Sequence, residues 1–576
     1  MNDYLIALTT FTPAAFALLM LLVPNAELAK KVGLLGSFVA LFFASWLAYD
    51  YGWKKDGHPT AEAVFTTKVQ AIADQAAKDG RTEDARRILA DLDAVKRGGK
   101  LAAPADVYER EPEAKELILA ASVPQAKVLR HVEYHPWIKG FRINYFMAAD
   151  GLSIPLVFLT GVLIPLCLVY SLTVDKLPRA FYALFLLLET GMIGVFCAMD
   201  MFLFYVFWEI VLLPMYFLIG IWGGPRRIYA AIKFFIYTLV GSVLMLIAFL
   251  YMYFHADPDS FNALTLMAVV PGLPYEIAKW LFIAMFIAFA IKVPVFPFHT
   301  WLPDAHVEAP TAASMVLAGI LLKMGGYGFF RFMYPLCPDV AMSKTFLWLI
   351  AILGLINMVY GALVAMAQTD FKSLVAYSSI SHMGYVLLGL AALTPAGVTG
   401  GVLQMFNHGI SSPMMFAIVG VIYDRAHHRN LNEFGGIGLV MPYYTGLATV
   451  GFFAGLGLPG LNGFISEALT FLGAYQKTSF IRDGLDGRGL DATWIVFVAL
   501  LAIVFTAAYV LWTVQRVYLG PVKEKYMQFP DMNAREAITL IPLGIGCILF
   551  GVWPALILDY MNPSIEAIIQ QVTGAR

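Results

Sequence analysis

Apolar runs of about 20 residues recur along this sequence, each long enough to cross a hydrocarbon core as a helix. They fall at about fourteen places: 4–23, 33–50, 150–171, 181–199, 201–221, 230–254, 277–296, 309–330, 346–366, 372–392, 397–423, 440–475, 493–515 and 537–556. The pattern predicts an all-α polytopic membrane protein. Two runs are interrupted, the seventh at KVPVFP and the twelfth at GLGLPGLNGF. Proline removes a backbone donor and breaks a helix, and a membrane tolerates such backbone only where protein or a water-filled cavity satisfies it. The breaks lie five spans apart. That fits two five-helix repeats of inverted topology, spans 4–8 and 9–13, or a chance recurrence among many prolines and glycines.

One stretch departs from the apolar texture. From Lys54 to about Pro136 the chain is charged and alanine-rich. Its period predicts two amphipathic helices around a Lys-Asp-Gly turn. It suits a docking surface for a neighbouring subunit or a solvated insertion without a specific partner. The expected divisions are 1–53 (spans one and two), 54–136 (extramembrane helical insertion), 137–180 (span three) and 181–331 (first repeat). They continue with 346–475 (most of the second repeat) and 493–576 (spans thirteen and fourteen with the C-terminus). Lysine and arginine gather in the odd-numbered loops, which places both termini on the non-cytoplasmic side of a bacterial inner membrane. The first run lacks a basic flank and a small-residue cleavage site, so it is expected to stay as a first span.

Composition supports this picture and narrows it. The chain has 576 residues, is 60% hydrophobic with 14% charged residues, and carries a formal net charge of -1; its mean hydropathy is +0.71. No basic face with interleaved aromatics suggests a nucleic-acid partner. Cys167, Cys197, Cys337 and Cys547 are scattered singly, which supports neither zinc nor an iron–sulfur cluster. No Gly-rich dinucleotide fingerprint or phosphate-binding loop stands out.

The informative residues are the charges inside the spans. Glu209 lies in span five, Lys233 in six, Lys292 at the break of seven and Lys323 in eight. His382 falls in span ten, His408 in eleven and Glu467 just past the break of twelve. A lysine at the bilayer centre costs roughly 2.5–3.5 kcal/mol on insertion scales, so such groups usually face a bundle interior and mark an ion path. A Glu–Lys contact at about 4 Å and an effective dielectric near 20 is worth about 4 kcal/mol. A proton crossing about 200 mV gains roughly 4.6 kcal/mol. Opening one such pair therefore has the size needed to load or unload a proton against a gradient. Histidines, titrating near neutrality, suit the relay between.

Each group also has a plainer reading. Glu209 and Lys233 fit a static ion pair, and His382 and His408 fit hydrogen bonds to Ser379 or Ser411. Glu189 and Asp200 lie near an interface and read as solvated. Asp304, His306 and Glu308 alternate after the break like a metal site, but the spacing matches no strong ligand motif. Hydrogen bonds that stabilise the broken backbone are preferred there, and no metal is expected. His427 and His428 read as surface residues.

Six stretches carry a resemblance: FWEIVLLPMYFLIGIWGG, KFFIYTLVGS, AIKVPVFPFHTWLPDAHVEAPTAASMVLAGILLKMGGYGFFR, QTDFKSLVAYSSISHMGYV, FNHGISSPMMF and GLPGLNGFISE. With them the chain resembles the antiporter-like subunit family of respiratory complex I. The run HVEAPTAASMVLAGILLKMGGYG points to its M branch rather than L, N or the related Mrp-type cation/proton antiporters. The resemblance implies a fourteen-helix, non-redox, proton-translocating subunit of the membrane arm. Carried over by position, it implies that Glu209 and Lys233 form a coupling pair and Lys292 is the central lysine. It further makes Lys323 the bridging lysine, His382 and His408 the relay, and Glu467 the terminal acid. It implies no cofactor in this chain, with NADH, FMN, iron–sulfur clusters and quinone in partner subunits. Its neighbours would be L-type and N-type membrane-arm subunits and membrane lipids. The segment 54–136 is longer than the family's usual second loop. Readings that share these charges are an Mrp-type Na⁺/H⁺ antiporter subunit and a subunit of a membrane-bound hydrogenase or ferredoxin-linked complex. A structural spacer has no need of a charge in almost every repeat helix.

Overall fold

The computed structural model describes residues 4–53, 57–483 and 493–574. Among them, twelve helices are long and apolar enough to cross a membrane, from Leu5–Leu22 to Ala534–Val552. The two interrupted runs lie outside that set. Tyr275–Lys292 stops at the prolines and the chain resumes as the short helix Trp301–Glu308. Pro442–Leu456 stops at Gly457, and Asn462–Asp483 follows.

Neighbouring helices satisfy the backbone opened at each break. At the first, Asn357 on Lys344–Met366 accepts from the Phe296 amide at 2.8 Å and donates to the Pro294 carbonyl at 3.1 Å. The Trp301 indole donates to the Ile291 carbonyl at 2.9 Å. At the second, Asn407 donates to the Asn462 carbonyl at 2.6 Å, and Asn462 returns a bond to the Asn407 carbonyl at 3.0 Å. Each break is thus sutured by one asparagine of a neighbouring helix, the protein-side satisfaction that irregular membrane backbone requires.

A second correspondence lies at the helix starts. Asp200 caps Met201–Ile210 by accepting from the Phe202 and Leu203 amides, and it bridges to Asn262. Asp370 caps Phe371–Ala392 by accepting from the Lys372 and Ser373 amides, and it bridges to Asn430. The backbone bonds match too: Met201 to Phe261 and Ala263 to Met199 in one, Phe371 to Arg429 and Leu431 to Thr369 in the other. The two starts are five spans apart, so the clasps face opposite ends of the bundle.

The helix Thr311–Leu336 is buried along its length and contains two π turns, Leu317–Leu321 and Phe329–Met333. Such turns cluster at functional places in helices.

Outside the spans, Ala61–Lys78 and Thr82–Lys96 flank Gly80, whose φ of +82° suits a residue without Cβ. Pro112–Ser122 packs beneath them. Residues 130–149 add what an all-α reading omits: an antiparallel pair, β1 (Arg130–Ile138) and β2 (Ile143–Ala149). Its sequence, RHVEYHPWI and INYFMAA, is rich in β-branched and aromatic residues. The hairpin ties span ends together. Glu133 accepts from the Ala7 amide at 3.0 Å, and the Asn144 amide donates to Asp200 at 3.0 Å.

Glu116 on Pro112–Ser122 is buried and accepts from Ser260 at 2.9 Å. Burial pushes its carboxyl up from 4.5 to about 7, opposed by the Ser260 hydrogen bond and reinforced by the nearby Asp200 charge. Between those values the folded state holds more protons than the unfolded chain, so stability is lost as pH rises through about 7. Hydrogen-exchange protection of Pro112–Ser122 is therefore expected to be higher near about pH 5 than near about pH 8. Glu116→Gln is expected to flatten the difference; an unchanged slope in the variant would assign it to another group.

Candidate functional site

The charged groups of the spans form two connected sets. Glu209 lies in the last turn of the helix Met201–Ile210, which is interrupted at Val211 before Leu212–Trp222. Pro214 withholds the amide that would bond to the Ile210 carbonyl, which gives the irregularity a local cause. Glu209 is half-buried, and its Oε1 is buried without a hydrogen-bond partner. On the next helix, Lys233 points at the short helix after the first break and pairs with Asp304 at 2.7 Å. The expected Glu209–Lys233 pair is thus replaced by Lys233–Asp304. The reason is the face on which Lys233 lies: Phe234 packs on Trp301, and the Tyr237 hydroxyl reaches Thr300 at 2.9 Å. Arg226 approaches the same cluster, 3.7 Å from Asp304 and 3.7 Å from Glu308.

Lys292 is the last helical residue before the first break and is 1% exposed. Its Nζ has no hydrogen-bond partner and lies 5.2 Å from the Trp208 ring centre and 5.8 Å from that of Phe234. The carboxylate acting on it electrostatically is Glu209. The break and Thr311–Leu336 meet closely at Gly325, where a Cβ would lie 2.8 Å from the Phe289 carbonyl and 3.0 Å from the Lys292 Cβ.

Lys323, fully buried two residues past the first π turn, donates to the Ala318 carbonyl within that turn. Its Nζ is 2.7 Å from Nδ1 of His408. The His408 ring is 5.5 Å, centre to centre, from His382, whose Nδ1 is 3.6 Å from Oε1 of Glu467. Gln404 Nε2 lies 3.4 Å from the same Nδ1, and Ser466 donates to Gln404 Oε1. The second break closes the set: Gly457, with φ +76°, leaves room for Glu467, whose Oε2 would lie 2.7 Å from a Cβ there.

A cavity of about 320 Å³ opens beside this track, lined among others by Tyr170, Trp222, Glu308, Lys372 and Arg429. Lys372 donates to the Ala309 carbonyl at its wall. His306, on the short helix whose last residues line the cavity, is fully buried and stacked on Phe416 at 4.4 Å, with neither ring nitrogen hydrogen-bonded. Both Lys372 and Lys323 act on it electrostatically.

A family model described as NADH:quinone oxidoreductase/Mrp antiporter, transmembrane, matches residues 198–481, which hold Glu209, Lys233, Lys292, Lys323, His382, His408 and Glu467. Subunit M of NADH-quinone oxidoreductase from Rickettsia conorii is 42% identical over 440 residues, covering 76% of this chain and 86% of that protein. The chain belongs to the subunit M family of NADH-quinone oxidoreductase. The Rhodobacter capsulatus member of the subunit M family is 43% identical over 466 residues, covering 79% of this chain and 87% of its own. A chain of respiratory complex I from Thermus thermophilus superposes with a TM-score of 0.77 at 27% identity, each chain covered in full. A chain of the Mrp complex from Dietzia shares the fold at 22% identity and a TM-score of 0.66. Membership of the subunit M family makes this a membrane subunit of NADH-quinone oxidoreductase.

The structure revises the outlying residues. Glu189 and Asp200, read as solvated, are both fully buried: Asp200 is a helix cap, and neither Glu189 oxygen has a hydrogen-bond partner. Glu308 accepts from the Arg226 amide at 2.8 Å, at the start of the sixth-span helix and not at the break, and Asp304 is committed to Lys233. His427 is exposed, whereas His428 is half-buried against the Tyr526 hydroxyl at 2.9 Å. Asp304 and His306 were weighed in the sequence only as a metal-like alternation and assigned to backbone support, and Lys372 and Gln404 were not singled out as site residues. The acid–histidine–acid alternation of DAHVE was the signal for the first two; the others carried none.

Proposed function

We propose that the chain moves protons across the membrane along Glu209, Lys233, Lys292, Lys323, His382, His408 and Glu467, driven by NADH–quinone electron transfer in partner subunits. The observation that carries this reading is the succession Lys323–His408–His382–Glu467, with Nζ to Nδ1 at 2.7 Å, the two imidazole rings 5.5 Å apart centre to centre, and Nδ1 to Oε1 at 3.6 Å. Lys323 and His408 are too close for both to hold a positive charge comfortably: at about 4 Å and an effective dielectric near 20, like charges already cost about 4 kcal/mol. A charge arriving at Lys292, across the Gly325 contact, therefore favours passing a proton from Lys323 towards His382 and Glu467. The unpaired Nε2 atoms of His408 and His382 give each ring a second exchange point, reachable through one water.

Loading follows from the cavity. Lysine and arginine mark its end of the bundle as cytoplasmic, and His306 feels the charges of both Lys372 at the cavity wall and Lys323. On the other side of the break, Lys233 is held by Asp304, which leaves Glu209 as the carboxylate for Lys292. The buried polar side chains supply the internal partners that charged groups need within a bilayer. The redox groups NADH, FMN, iron–sulfur clusters and quinone belong to partner subunits, and L-type and N-type subunits flank this one.

Glu209→Ala in the assembled enzyme tests the reading. NADH–quinone turnover and proton pumping are both expected to fall by about tenfold or more, with assembly unchanged. Normal turnover and pumping would reduce Glu209 to a static carboxylate.

A further inference from the structure

We propose that Asp50, His58 and His131 form a binding site for a divalent transition-metal ion where the extramembrane insertion meets the second span. Asp50 lies in the last turns of Ala26–Trp53, His58 just before Ala61–Lys78, and His131 near the start of β1. One ligand atom from each comes within 4.8 Å of the others. His58 Nε2 is 2.6 Å from Asp50 Oδ2, and His131 Nε2 is 3.8 Å from the same oxygen. The two imidazole rings are 4.1 Å apart, centre to centre.

His131 is the observation that points beyond an ordinary ion pair. Its side chain is 1% exposed, and neither ring nitrogen has a hydrogen-bond partner. Buried polar groups are nearly always satisfied, so an imidazole sealed away with both nitrogens unused needs a reason. Its backbone is also unusual: φ is +51°, and the β1–β2 register shifts between Arg130 and Glu133. A non-glycine residue held in that left-handed region is strained. The Ala61 amide bonds to the Leu129 carbonyl at 2.9 Å, fixing the His58 segment against the start of the strand.

The donor set selects the ion class. Two imidazoles and one carboxylate suit zinc and its first-row neighbours, whereas calcium and magnesium prefer oxygen alone. Bond lengths near 2.0–2.2 Å place tetrahedral ligands about 3.3 Å apart. The 2.6 Å and 3.8 Å separations straddle that value, so shifts of under about 1 Å would bring both imidazoles to ligand distance from the Asp50 oxygen. His58 is 16% exposed at its side chain and Asp50 1%, which leaves a solvent path for the ion and a water as fourth ligand. Since the three ligands come from a helix end, a loop and a strand, the bound ion would clamp the insertion to the span, adding its binding energy to that docking.

The test uses the enzyme assembled with this chain in its membrane arm, stripped with EDTA, equilibrated with Zn²⁺ alone and washed. Elemental analysis is expected to find one more Zn²⁺ per enzyme in the wild type than in His58→Gln, with His131→Gln matching His58→Gln. Zn²⁺ affinity at this site is expected to fall at least about tenfold in either variant. Loading with Co²⁺ is expected to give a visible ligand-field band in the wild type that both variants lose. Turnover and assembly of His58→Gln, altered at a half-buried residue outside the proton track, are expected to stay normal. Equal Zn²⁺ in wild type and His58→Gln, or the same Co²⁺ spectrum in both, would mean adventitious binding and overturn the site.

Discussion

Lys323→Met is expected to leave the enzyme assembled while cutting NADH–quinone turnover and proton pumping by about tenfold or more. Lys323 lies fully buried between the Ala318 carbonyl of its own π turn and Nδ1 of His408 at 2.7 Å. Methionine fills a similar volume without a charge to desolvate, so the fold loses little more than the two hydrogen bonds to Ala318 and His408, each worth about 1 kcal/mol. What disappears is the group proposed to hand a proton to His408. Lys323→Arg separates two explanations that Lys323→Met leaves joined. Arginine keeps the positive charge but cannot release its proton. If proton exchange at this position is the function, both variants lose pumping. If a fixed charge suffices, Lys323→Arg keeps it and the proposed transfer from Lys323 is wrong. Normal pumping in Lys323→Met would remove the whole succession to Glu467 from the proton's route.

Most of the fold was legible because a bilayer enforces a simple length rule. The spans follow from hydropathy, and the breaks from Pro294, Pro297 and the Gly457–Gly463 run. The sutures were not legible. An asparagine within an apolar helix, such as Asn357 or Asn407, announces a need for a partner but not which backbone it will reach. The hairpin at 130–149 was missed because it follows a strongly helical insertion and its alternation is short. The paired clasps of Asp200–Asn262 and Asp370–Asn430 were present in the sequence only as an aspartate and an asparagine about 60 positions apart in each half. A separation of that size is visible once the folded pairs are known.

The candidate site was legible as an inventory and much less so as a set of pairs. A charge in an apolar run is conspicuous because its desolvation is costly. Its partner depends on which helix faces it, and that is a tertiary matter. Lys233 therefore went to Asp304 instead of Glu209, because the break swings a short helix across its face. Lys323, His408, His382 and Glu467 do meet, on four different helices. Lys372 drew no notice as a site residue because it sits in the first turn of its helix, although the fold buries it.

The charge that matters most for stability drew no notice in the sequence, and its removal should have the largest structural effect. Arg331 and Asp150 are both fully buried and ion-paired. The guanidinium also donates to Gln125 at 3.0 Å and to the Tyr327 hydroxyl at 3.1 Å, while Asp150 accepts from the Leu152 and Ser153 amides. The pair thus joins the far π turn of the Lys323 helix to the start of Ser153–Tyr170 and to the insertion. Arg331→Met is expected to destabilise the subunit by about 3–5 kcal/mol, because Asp150 is left as an uncompensated buried charge. The double variant Arg331→Met, Asp150→Asn is expected to recover much of that loss, since two neutral groups no longer demand each other. Denaturation of the purified enzyme, read through release of this subunit, checks both. Unlike Lys323, Arg331 touches no member of the proton succession, so whatever enzyme assembles is expected to pump the normal number of protons per NADH. A double variant as unstable as the single would show that packing by the arginine side chain, rather than charge pairing, holds this corner. A lowered proton yield in assembled Arg331→Met would move Arg331 from the scaffold into the pump.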